Sequence, residues 1–425
     1  MAHTRGRHRR TAGALAAAAA AAVLALAPPA PAVPARGPHP DTAADGGWIV
    51  ALKRGPGTPP ASSGQARKTV ERYGVSIRRT YRTALDGFAI RADAAQARRL
   101  AADPAVASVT PDAAVSLGAA ATAHRPSGGT PRTQPFPPSW GLDRIDRPAA
   151  GTHLPDGSPE RALDGAYTAP ADGGRGVTVY VIDSGVRTSH RDFGGRARSG
   201  WDFVDDDPVA EDGNGHGTHV AATAAGSRFG VAKRAEVVAV RVLDDRGRGT
   251  SGQVLAGLDW VLRHAVRPAV VNLSLGTRDP APVPAWDAAV RTGVASGLTF
   301  TIAAGNEGLG AGAFSPGRVR DALTVGATDR FDRRPAFSNW GRAVDLFAPG
   351  DRIVSASNES DTAAATRSGT SMAAPHAAGA AALYLAAHRS ASPARVSAAL
   401  TAAAARGAVR NAGPGSPNRL LRVAN

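Results

Sequence analysis

The stretch NGHGTHVAA contains two histidines, His216 and His219, three positions apart. Such a pair can ligate a metal ion, can supply one catalytic base beside a structural neighbour, or can lie on the surface without a function. The metal interpretation is the weakest, because no glutamate stands between the histidines and no third ligand is evident. The chain also contains no cysteine, which excludes cysteine-based zinc sites and disulfides.

Three further polar residues stand where predicted strands end or predicted helices begin. Asp183 ends the apolar run VTVYVID, Asn306 follows LTFTIAAG, and Ser371 opens an alanine- and glycine-rich helix within SGTSMAAPHAAG. Acyl transfer needs a serine nucleophile, an imidazole that takes its proton, and a buried carboxylate that fixes the imidazole tautomer. The Ser371 backbone N–H and the Asn306 amide are suitable donors to an oxyanion. Each stretch alone is weak evidence, whereas four in one chain are strong evidence.

The elements that must position these residues alternate along the second part of the chain. Apolar strands are predicted at 177–183, 235–243, 269–275, 298–305 and 322–327, and helical stretches lie between them, as at 251–264 and 283–297. Near-continuous apolar strands separated by helices predict an α/β fold, with a parallel sheet covered by helices on both faces. In such sheets the functional residues gather at the carboxyl ends of the strands.

Residues 36–116 follow a different order. After a short polar segment come a strand at Trp48–Lys53, a helix, alternating strands, a helix at Ala94–Asp103 and a final strand in VASVTPDAAVSL. This β-α-β-β-α-β order predicts a small α+β domain of the ferredoxin-like type. Residues 117–138 are rich in Gly, Pro, Ser and Thr and predict an exposed linker suited to proteolysis. The main domain is expected at 139–425.

Residues 1–35 have the composition of a secretory signal peptide. Arginines at 5, 7, 9 and 10 precede an apolar run at about 14–26 and then a Pro/Ala-rich segment. The run is shorter than the ~20 residues that span a bilayer, so a membrane anchor is the weaker alternative. The pair Arg9-Arg10 is a weak signal for twin-arginine export, and general export stays open beside it. A secreted protein is therefore expected, without a membrane partner.

The composition narrows the function classes further. Hydrophobic residues make up 43% of the chain, enough for sizeable cores. The net charge of +15 raises the question of nucleic-acid binding. However, residues 1–35 hold four arginines and no acid, and residues 36–130 hold 13 basic and 7 acidic residues. More than half of the excess thus lies in segments expected to be removed, and no nucleic-acid partner is expected.

The motifs DSGV, HGTHVA, AAGNEG and GTSMAAPH, in that order, resemble the subtilisin-like serine proteases of peptidase family S8. SWGLDRID, VLDDRGRGTSG, VNLSLGT and FSNWGRAVDLFAPG resemble the proteinase K and aqualysin branch. The resemblance covers essentially all of 139–425, and residues 48–116 resemble the family's I9-type inhibitory propeptide. It implies a secreted serine endopeptidase, expected as a monomer, with its own propeptide as inhibitor and folding aid. Self-cleavage is expected within 115–134.

The resemblance also implies roles for single residues. Asp183, His216 and Ser371 would form the triad, and Asn306 would complete the oxyanion hole. His219 is then a structural bystander, and the same is expected of two further histidines near the site, His190 and His376. No cofactor is expected for catalysis. One departure is Ala222, where the family usually has glycine; its methyl group is expected to crowd a neighbour.

Substrate-binding segments follow from the same resemblance. They are Gly247, Arg248, Gly249, Ser274, Leu275, Gly276, Ala303, Ala304 and Gly305. The first six match strands that flank a bound peptide, and the last six would line the pocket for the residue before the cut. Small uncharged walls predict a preference for aromatic or large aliphatic side chains there. Arg248 is either an attractant for acidic residues upstream or simply an exposed, solvated arginine.

The only metal that the resemblance implies is structural calcium. Asp345 matches a carboxylate that binds Ca²⁺ in this branch, together with carbonyls near 320–322. The loop DDDPVAED offers further oxygen ligands, Asp205, Asp207 and Asp212, but is equally typical of a solvated acidic turn. A third family site would use Asp143 and Asp146, and the longer loop after Arg147 argues against it.

Three alternatives stay open at this stage. A catalytically silent subtilase fold used for binding would lack a triad residue, and all are present. A basic protein that binds nucleic acid or a charged surface would be retained on heparin and released by moderate salt. A narrower enzyme would use the same triad on esters or on a few specific peptides.

Overall fold

The structure, a computed structural model, describes residues 46–55, 59–117, 122–123, 133–146 and 163–423. The predicted signal peptide lies outside the described residues, as does part of the predicted linker. In the described part of the chain no helix is long and apolar enough to cross a membrane.

The N-terminal domain consists of one sheet and two helices. Its strands are β1 (Gly47–Leu52), β2 (Ser76–Tyr81), β3 (Gly87–Arg91) and β4 (Val106–Pro111), and its helices are α1 (Gly64–Glu71) and α2 (Ala94–Ala101). The sheet order is β2-β3-β1-β4 with antiparallel pairing throughout. This confirms the predicted ferredoxin-like order. A capping box at Asp93 and Gln96 starts α2, and Phe88 and Leu100 fill the core.

The remaining elements begin with short strands and continue into a large sheet. The strands are β5 (Ala114–Ser116), β6 (Thr122–Ala123), β7 (Thr133–Pro135), β8 (Ala166–Thr168), β9 (Thr178–Asp183), β10 (Ala197–Asp202), β11 (Glu236–Arg241), β12 (Arg248–Thr250), β13 (Ala269–Leu273), β14 (Thr299–Ala303), β15 (Leu323–Thr328), β16 (Leu346–Pro349), β17 (Ile353–Ala356), β18 (Ala364–Arg367), β19 (Ala405–Arg406) and β20 (Arg419–Leu420). The helices are α3 (Trp140–Ile145), α4 (His216–Ala225), α5 (Ser251–His264), α6 (Pro284–Ala295), α7 (Thr370–Ala387) and α8 (Pro393–Ala403).

The large sheet has the order β10-β11-β9-β13-β14-β15-β16-β20-β19. All its pairs are parallel except the last, between β19 and β20. Successive residues of β9 alternate between two cores: Val179 and Val181 pack with α4 and α7, whereas Tyr180 and Ile182 pack with α5 and α6. Because both faces are covered, the strands are apolar along their whole length, which confirms the predicted α/β architecture.

Small residues allow α4 and α7 to pack closely on one face of the sheet. A Cβ on Gly379 would lie 2.6 Å from the carbonyl oxygen of Ala224 and 2.6 Å from the Cβ of Val231. Ala222, expected to crowd a neighbour, is fully buried within this core. The alanine- and glycine-rich composition of α7 therefore reflects a close helix contact that sequence periodicity alone does not indicate.

The structure differs from the sequence prediction at the join between the domains. The predicted final strand of the N-terminal domain is two strands, because after β4 the chain leaves its sheet and β5 pairs antiparallel with β12. The predicted linker also contains strands: β6 pairs with β18, and β7 pairs with β8. Gly- and Pro-rich composition predicts a loop, but open edges of nearby strands supply partners for its backbone.

Replacing Gly379 should loosen the contact between α4 and α7. In a Ser371→Ala background, which prevents self-digestion, Gly379→Ala should lower stability by about 2 kcal/mol through overpacking. In a domain of this size that corresponds to a melting temperature lower by roughly 4–8 °C. The control is Gly310→Ala, where an added Cβ meets nothing within 4 Å. Equal melting temperatures for the two variants would contradict the proposed close packing.

Candidate active site

A buried carboxylate and an imidazole meet at the carboxyl edge of the sheet. Asp183 is the last residue of β9, and His216 is the first residue of α4. The His216 Nδ1–H donates to Asp183 Oδ1 at 2.7 Å, and Asp183 is fully buried. This bond fixes the tautomer, so that the other ring nitrogen, Nε2, is free to accept a proton.

The chain before His216 is held by a second buried carboxylate, Asp212. Its Oδ1 accepts hydrogen bonds from the backbone N–H groups of Asn214 and Gly215 and from the Ser184 hydroxyl. Its Oδ2 accepts from the backbone N–H and the hydroxyl of Thr218. Burial raises the pKa of Asp212. Asp212 thus ties the start of α4 to the residue after Asp183 and keeps the imidazole and the carboxylate in register.

Ser371 lies in the first turn of α7, on the other side of the cleft. Gly369 precedes the helix with φ 151° and ψ 161°, a backbone conformation that is adopted almost only by glycine. The Ser371 hydroxyl donates to the carbonyl oxygen of Ser274 at 3.0 Å, and the Ser274 hydroxyl donates to the carbonyl oxygen of Ser371 at 2.8 Å. This reciprocal pair joins the end of β13 to the start of α7.

The amide of Asn306 is oriented by the residue before Ser371. Its Oδ1 accepts from the backbone N–H of Thr370 at 2.8 Å and from the Thr370 hydroxyl at 2.9 Å. Because Oδ1 already accepts two hydrogen bonds, the amide can offer its Nδ2 hydrogens to a ligand in the cleft. Gly305 before it has φ 101°, and a Cβ there would lie 2.7 Å from Glu307 Oε2, so the turn after β14 favours glycine.

A cleft of about 630 Å³ connects these groups. Its lining includes the predicted residues Ser274, Leu275, Gly276, Ala303, Ala304 and Gly305, together with His216, Asn306 and Ser371. The structure adds residues that the sequence analysis missed: Thr277, Arg278, Phe314, Phe337 and Arg367. The run TRD directly after the predicted SLG segment is a signal for the first two, whereas the other three come from distant segments.

The predicted strand Gly247–Arg248–Gly249 lies beside the cleft and is occupied by the N-terminal part of the chain itself. In the β5–β12 pair Arg248 is opposite Ser116 and Gly249 is opposite Val115. The Leu117 N–H donates to the Gly247 carbonyl oxygen at 2.9 Å, and Ser116 and Leu117 line the cleft. Residues 114–117 therefore bind as an extended peptide would bind.

The N-terminal domain is also anchored on helix α5. The buried Asp259 Oδ1 accepts from three consecutive backbone N–H groups, those of Arg82, Thr83 and Ala84, at 3.0, 2.7 and 2.9 Å. Asp112 accepts from the Gly252 N–H at 2.7 Å at the start of α5, and the Tyr81 hydroxyl donates to the Gly252 carbonyl oxygen at 3.0 Å. These contacts fix the position from which β5 enters the cleft.

Comparisons with known proteins agree with this geometry. The Subtilase family profile, Peptidase_S8, matches residues 174–421, more than half of the chain. The chain belongs to the subtilase family. A second profile, Peptidase inhibitor I9, matches residues 50–118, so this subtilase carries an I9 propeptide domain in front of its peptidase domain. It is a subtilisin-like serine protease.

Several relatives of this subtilase are similar over most of its length. The extracellular serine proteinase of Thermus sp. (strain Rt41A) is 43% identical over 372 residues, which cover 88% of this chain and 84% of that protein. The alkaline serine exoprotease A of Vibrio alginolyticus is 44% identical over 349 residues, 82% of this chain and 60% of that protein. The crystal structure of a cold adapted subtilisin-like serine proteinase is similar at 47% identity and a TM-score of 0.62, covering 67% of this chain and 98% of that one.

Three further histidines of this subtilase, His190, His219 and His376, make structural contacts. His219 Nε2–H donates to the Ile353 carbonyl oxygen at 3.0 Å, and burial lowers the pKa of His219 well below its usual value. His376 Nδ1–H donates to the Met372 carbonyl oxygen at 2.8 Å, and burial lowers its pKa to about 4. His190 Nε2–H donates to the Ala363 carbonyl oxygen. These contacts fit the predicted division into one base and several bystanders.

The acids predicted as calcium ligands are spread over separate contacts. Asp205 pairs with Arg241 at 2.6 Å, and Asp207 accepts from the Val209 N–H. Asp212 is buried and accepts five hydrogen bonds at the start of α4, which is unlike a solvated acidic turn, and its role as a calcium ligand stays a prediction. Asp143 and Asp146 accept backbone N–H groups of a neighbouring turn and of β8. Within the described ranges, no three acidic or histidine side chains form a group suited to a metal ion.

Asp345 is the predicted calcium ligand whose environment best fits a cation. Its Oδ2 accepts from the Thr324 N–H at 2.8 Å, and burial raises its pKa to about 6, which Arg320 and Arg419 partly oppose. A buried carboxylate with a raised pKa is one that a bound cation would stabilise in its ionised form. Calcium at Asp345 therefore stays a prediction.

Removing the Asp345 charge should change how stability depends on pH. In the calcium-free protein the folded pKa of about 6 exceeds the ordinary value of 3.8. The folded state therefore binds the proton more tightly, and this stabilising contribution is lost as pH rises through about 6. Asp345→Asn, made in the Ser371→Ala background, has no carboxyl group to lose this proton. The melting temperature of Asp345→Asn minus that of the Ser371→Ala parent should therefore increase from about pH 4 to about pH 8.

Added calcium supplies the second arm of this test, and the control is the exposed Glu236→Gln. The gain in melting temperature on adding calcium at about pH 8 should be smaller for Asp345→Asn than for the parent and for the control. Equal gains in all three proteins would place any bound calcium elsewhere.

Proposed function

We propose that this subtilase is a secreted serine endopeptidase that acts through Asp183, His216 and Ser371 and cuts itself out of a proenzyme. One observation carries the proposal: His216, paired with Asp183 at 2.7 Å, lines the same cleft as Ser371, and the extended strand β5 of the same chain brings Ser116 and Leu117 into that cleft. The Asp183–His216 pair supports general-base activation of Ser371. The bound strand β5 supports a peptide as the substrate.

In the proposed mechanism His216 Nε2 takes the hydroxyl proton of Ser371, and Oγ attacks the peptide carbonyl carbon. Before this step the hydroxyl hydrogen must turn from the Ser274 carbonyl oxygen to the imidazole. The protonated imidazole then gives its proton to the leaving amine, which produces an acyl-enzyme. Water hydrolyses the ester, with His216 again as the base.

The oxyanion of the tetrahedral intermediate is stabilised by the Ser371 backbone N–H and the Asn306 Nδ2–H. Thr370 holds the Asn306 oxygen through two hydrogen bonds, so the amide does not have to reorganise during the reaction. A preorganised donor is worth most in a water-poor cleft, and Ser371 is only 9% exposed.

The pocket for the residue before the cut is assigned to two short segments, Ser274–Gly276 and Ala303–Gly305. Both line the cleft and are built from small or apolar residues, and Phe314 adds an aromatic wall. We therefore propose aromatic or large aliphatic side chains at this position. Extended substrates bind beside Gly247–Gly249 by the backbone pairing that β5 makes.

Two strand pairs bracket the proposed site of self-cleavage. β5 pairs with β12 up to Ser116 and Leu117 binds Gly247, whereas β6, from Thr122, pairs with β18 on the other side of the cleft. The scissile bond is therefore assigned between Leu117 and Thr122, within the wider range of 115–134 predicted from sequence. The I9 domain then inhibits by leaving β5 in the cleft.

Secretion is proposed on two grounds. Residues 1–35 have the composition of a signal peptide. The similar proteinase of Thermus sp. is described as extracellular.

Ser371→Ala should abolish self-processing. Wild-type protein produced without other proteases should lose its N-terminal part, and its new N-terminus should lie between residues 118 and 122. The variant should keep its I9 domain because it has no nucleophile. Intact mass shows whether the N-terminal part is lost, and N-terminal sequencing gives the position of the cut. Identical processing of the two proteins would mean that another protease performs the maturation.

Asn306→Ala should slow the same reaction without removing the nucleophile. Loss of one oxyanion donor costs about 10²–10³-fold in rate. This loss is measured as the first-order rate of self-cleavage in the refolded full-length chain, because that reaction does not depend on substrate affinity. Asn306→Asp is the matched variant, because it keeps an acceptor for Thr370 but loses the amide hydrogens. A rate within about threefold of wild type in both variants would exclude Asn306 from the oxyanion hole.

A further inference from the structure

The two flanking strands divide the cleft into an upstream and a downstream side. β12 binds the chain before the proposed cut, and β18 binds the chain after it, with Thr366 opposite Thr122 and Ala365 opposite Ala123. Because this pair is antiparallel, β18 runs toward the catalytic serine while the bound chain runs away from it. The last residue of β18 therefore lies closest to the bond that is cut.

That last residue is Arg367, four positions before Ser371. It lines the cleft together with His216 and Gly369. One guanidinium nitrogen, Nη2, donates to the Asn214 carbonyl oxygen at 3.3 Å, and the same nitrogen is 3.1 Å from where a Cβ on Gly215 would stand. The guanidinium thus lies against the turn that leads into His216, on the side from which the leaving amine departs.

The charge of Arg367 is only partly compensated. Its Nε is buried without a hydrogen-bond partner among the described residues. Three acids are near enough to interact with it, Asp212, Asp183 and Glu359, and burial outweighs them, so that its pKa is lowered. Two of these acids are already engaged, Asp183 by His216 and Asp212 by five donors. A carboxylate from a substrate would satisfy a guanidinium in this position.

We propose that Arg367 is a specificity-determining residue that favours an acidic side chain at one of the two positions directly after the cut. The inference rests on the proposed triad, since it takes Ser371 as the point of cleavage. The chain's own sequence around the proposed cut, LGAAAT, contains no acid. Self-processing therefore leaves Arg367 without a substrate carboxylate, and the preference concerns other protein substrates.

The test uses processed enzyme and internally quenched peptides that extend past the cut. The peptides are identical except for Asp, Asn or Lys at the first or the second position after it. Wild type should cleave the best Asp peptide about five- to tenfold more efficiently, in kcat/KM, than the Asn peptide, as expected for one partly buried charge pair. Arg367→Gln should bring this ratio to about one, and Arg367→Lys should retain part of it. Salt at about 0.5 M should reduce the wild-type ratio.

Two controls separate a specificity role from other effects. Arg198→Ala removes an exposed arginine of β10, outside the cleft, and should leave the ratio unchanged. A peptide anilide has no residue after the cut, so Arg367→Gln should lose less kcat/KM on the anilide than on the Asp peptide. An equal loss on the anilide and on all peptides would overturn the proposal in favour of a structural role beside His216. A wild-type ratio of one would overturn it directly, whereas an inactive wild type would refute the proposed catalytic function itself.

Discussion

The Asp183 carboxylate is completely buried, and a buried charge is tolerated only when it is paired and hydrogen-bonded. Its partner, His216, belongs to a different element, so β9 and α4 must be held in a fixed relation. Asp212 provides this through five hydrogen bonds that join Ser184 to the start of α4. The geometry of the dyad is therefore a property of the buried polar contacts around it, and those contacts depend on the packing of α4 against the sheet.

The same packing positions Ser371, the proposed nucleophile. Helix α7 begins at the cleft and runs through the core beside α4, where Gly379 leaves no room for a side chain beside Ala224. Because interiors are close-packed, a shift at this crossing would move Ser371 relative to His216. The hydrogen bonds between Ser274 and Ser371 fix the other end of the arrangement at β13. Ser371 and His216 thus stand at the starts of packed helices, whereas Asn306, in the turn after β14, is held by its two hydrogen bonds from Thr370.

The I9 domain contributes its own fold and one extended strand. Asp259 and Asp112 connect it to α5 through backbone N–H groups, which are contacts that do not depend on the neighbouring side chains. β5 can then pair with β12 in the way a substrate pairs. The domain therefore fills the side of the cleft proposed for residues before the cut, and β18, which carries Arg367, pairs with β6 on the side proposed for residues after it.

The sequence by itself determined the fold class of both domains and the four residues proposed for catalysis, because apolar periodicity and short motifs are local properties. It predicted the ferredoxin-like order and five of the parallel strands within a few residues, but it missed β10, β16 and β20 of the same sheet. Only the tertiary structure decided that β5 leaves its sheet for β12, that Asp212 caps α4, and that Phe314, Phe337 and Arg367 line the cleft. These facts join segments far apart in the chain, and a strand edge, a buried donor or a cleft wall exists only once those segments have packed together.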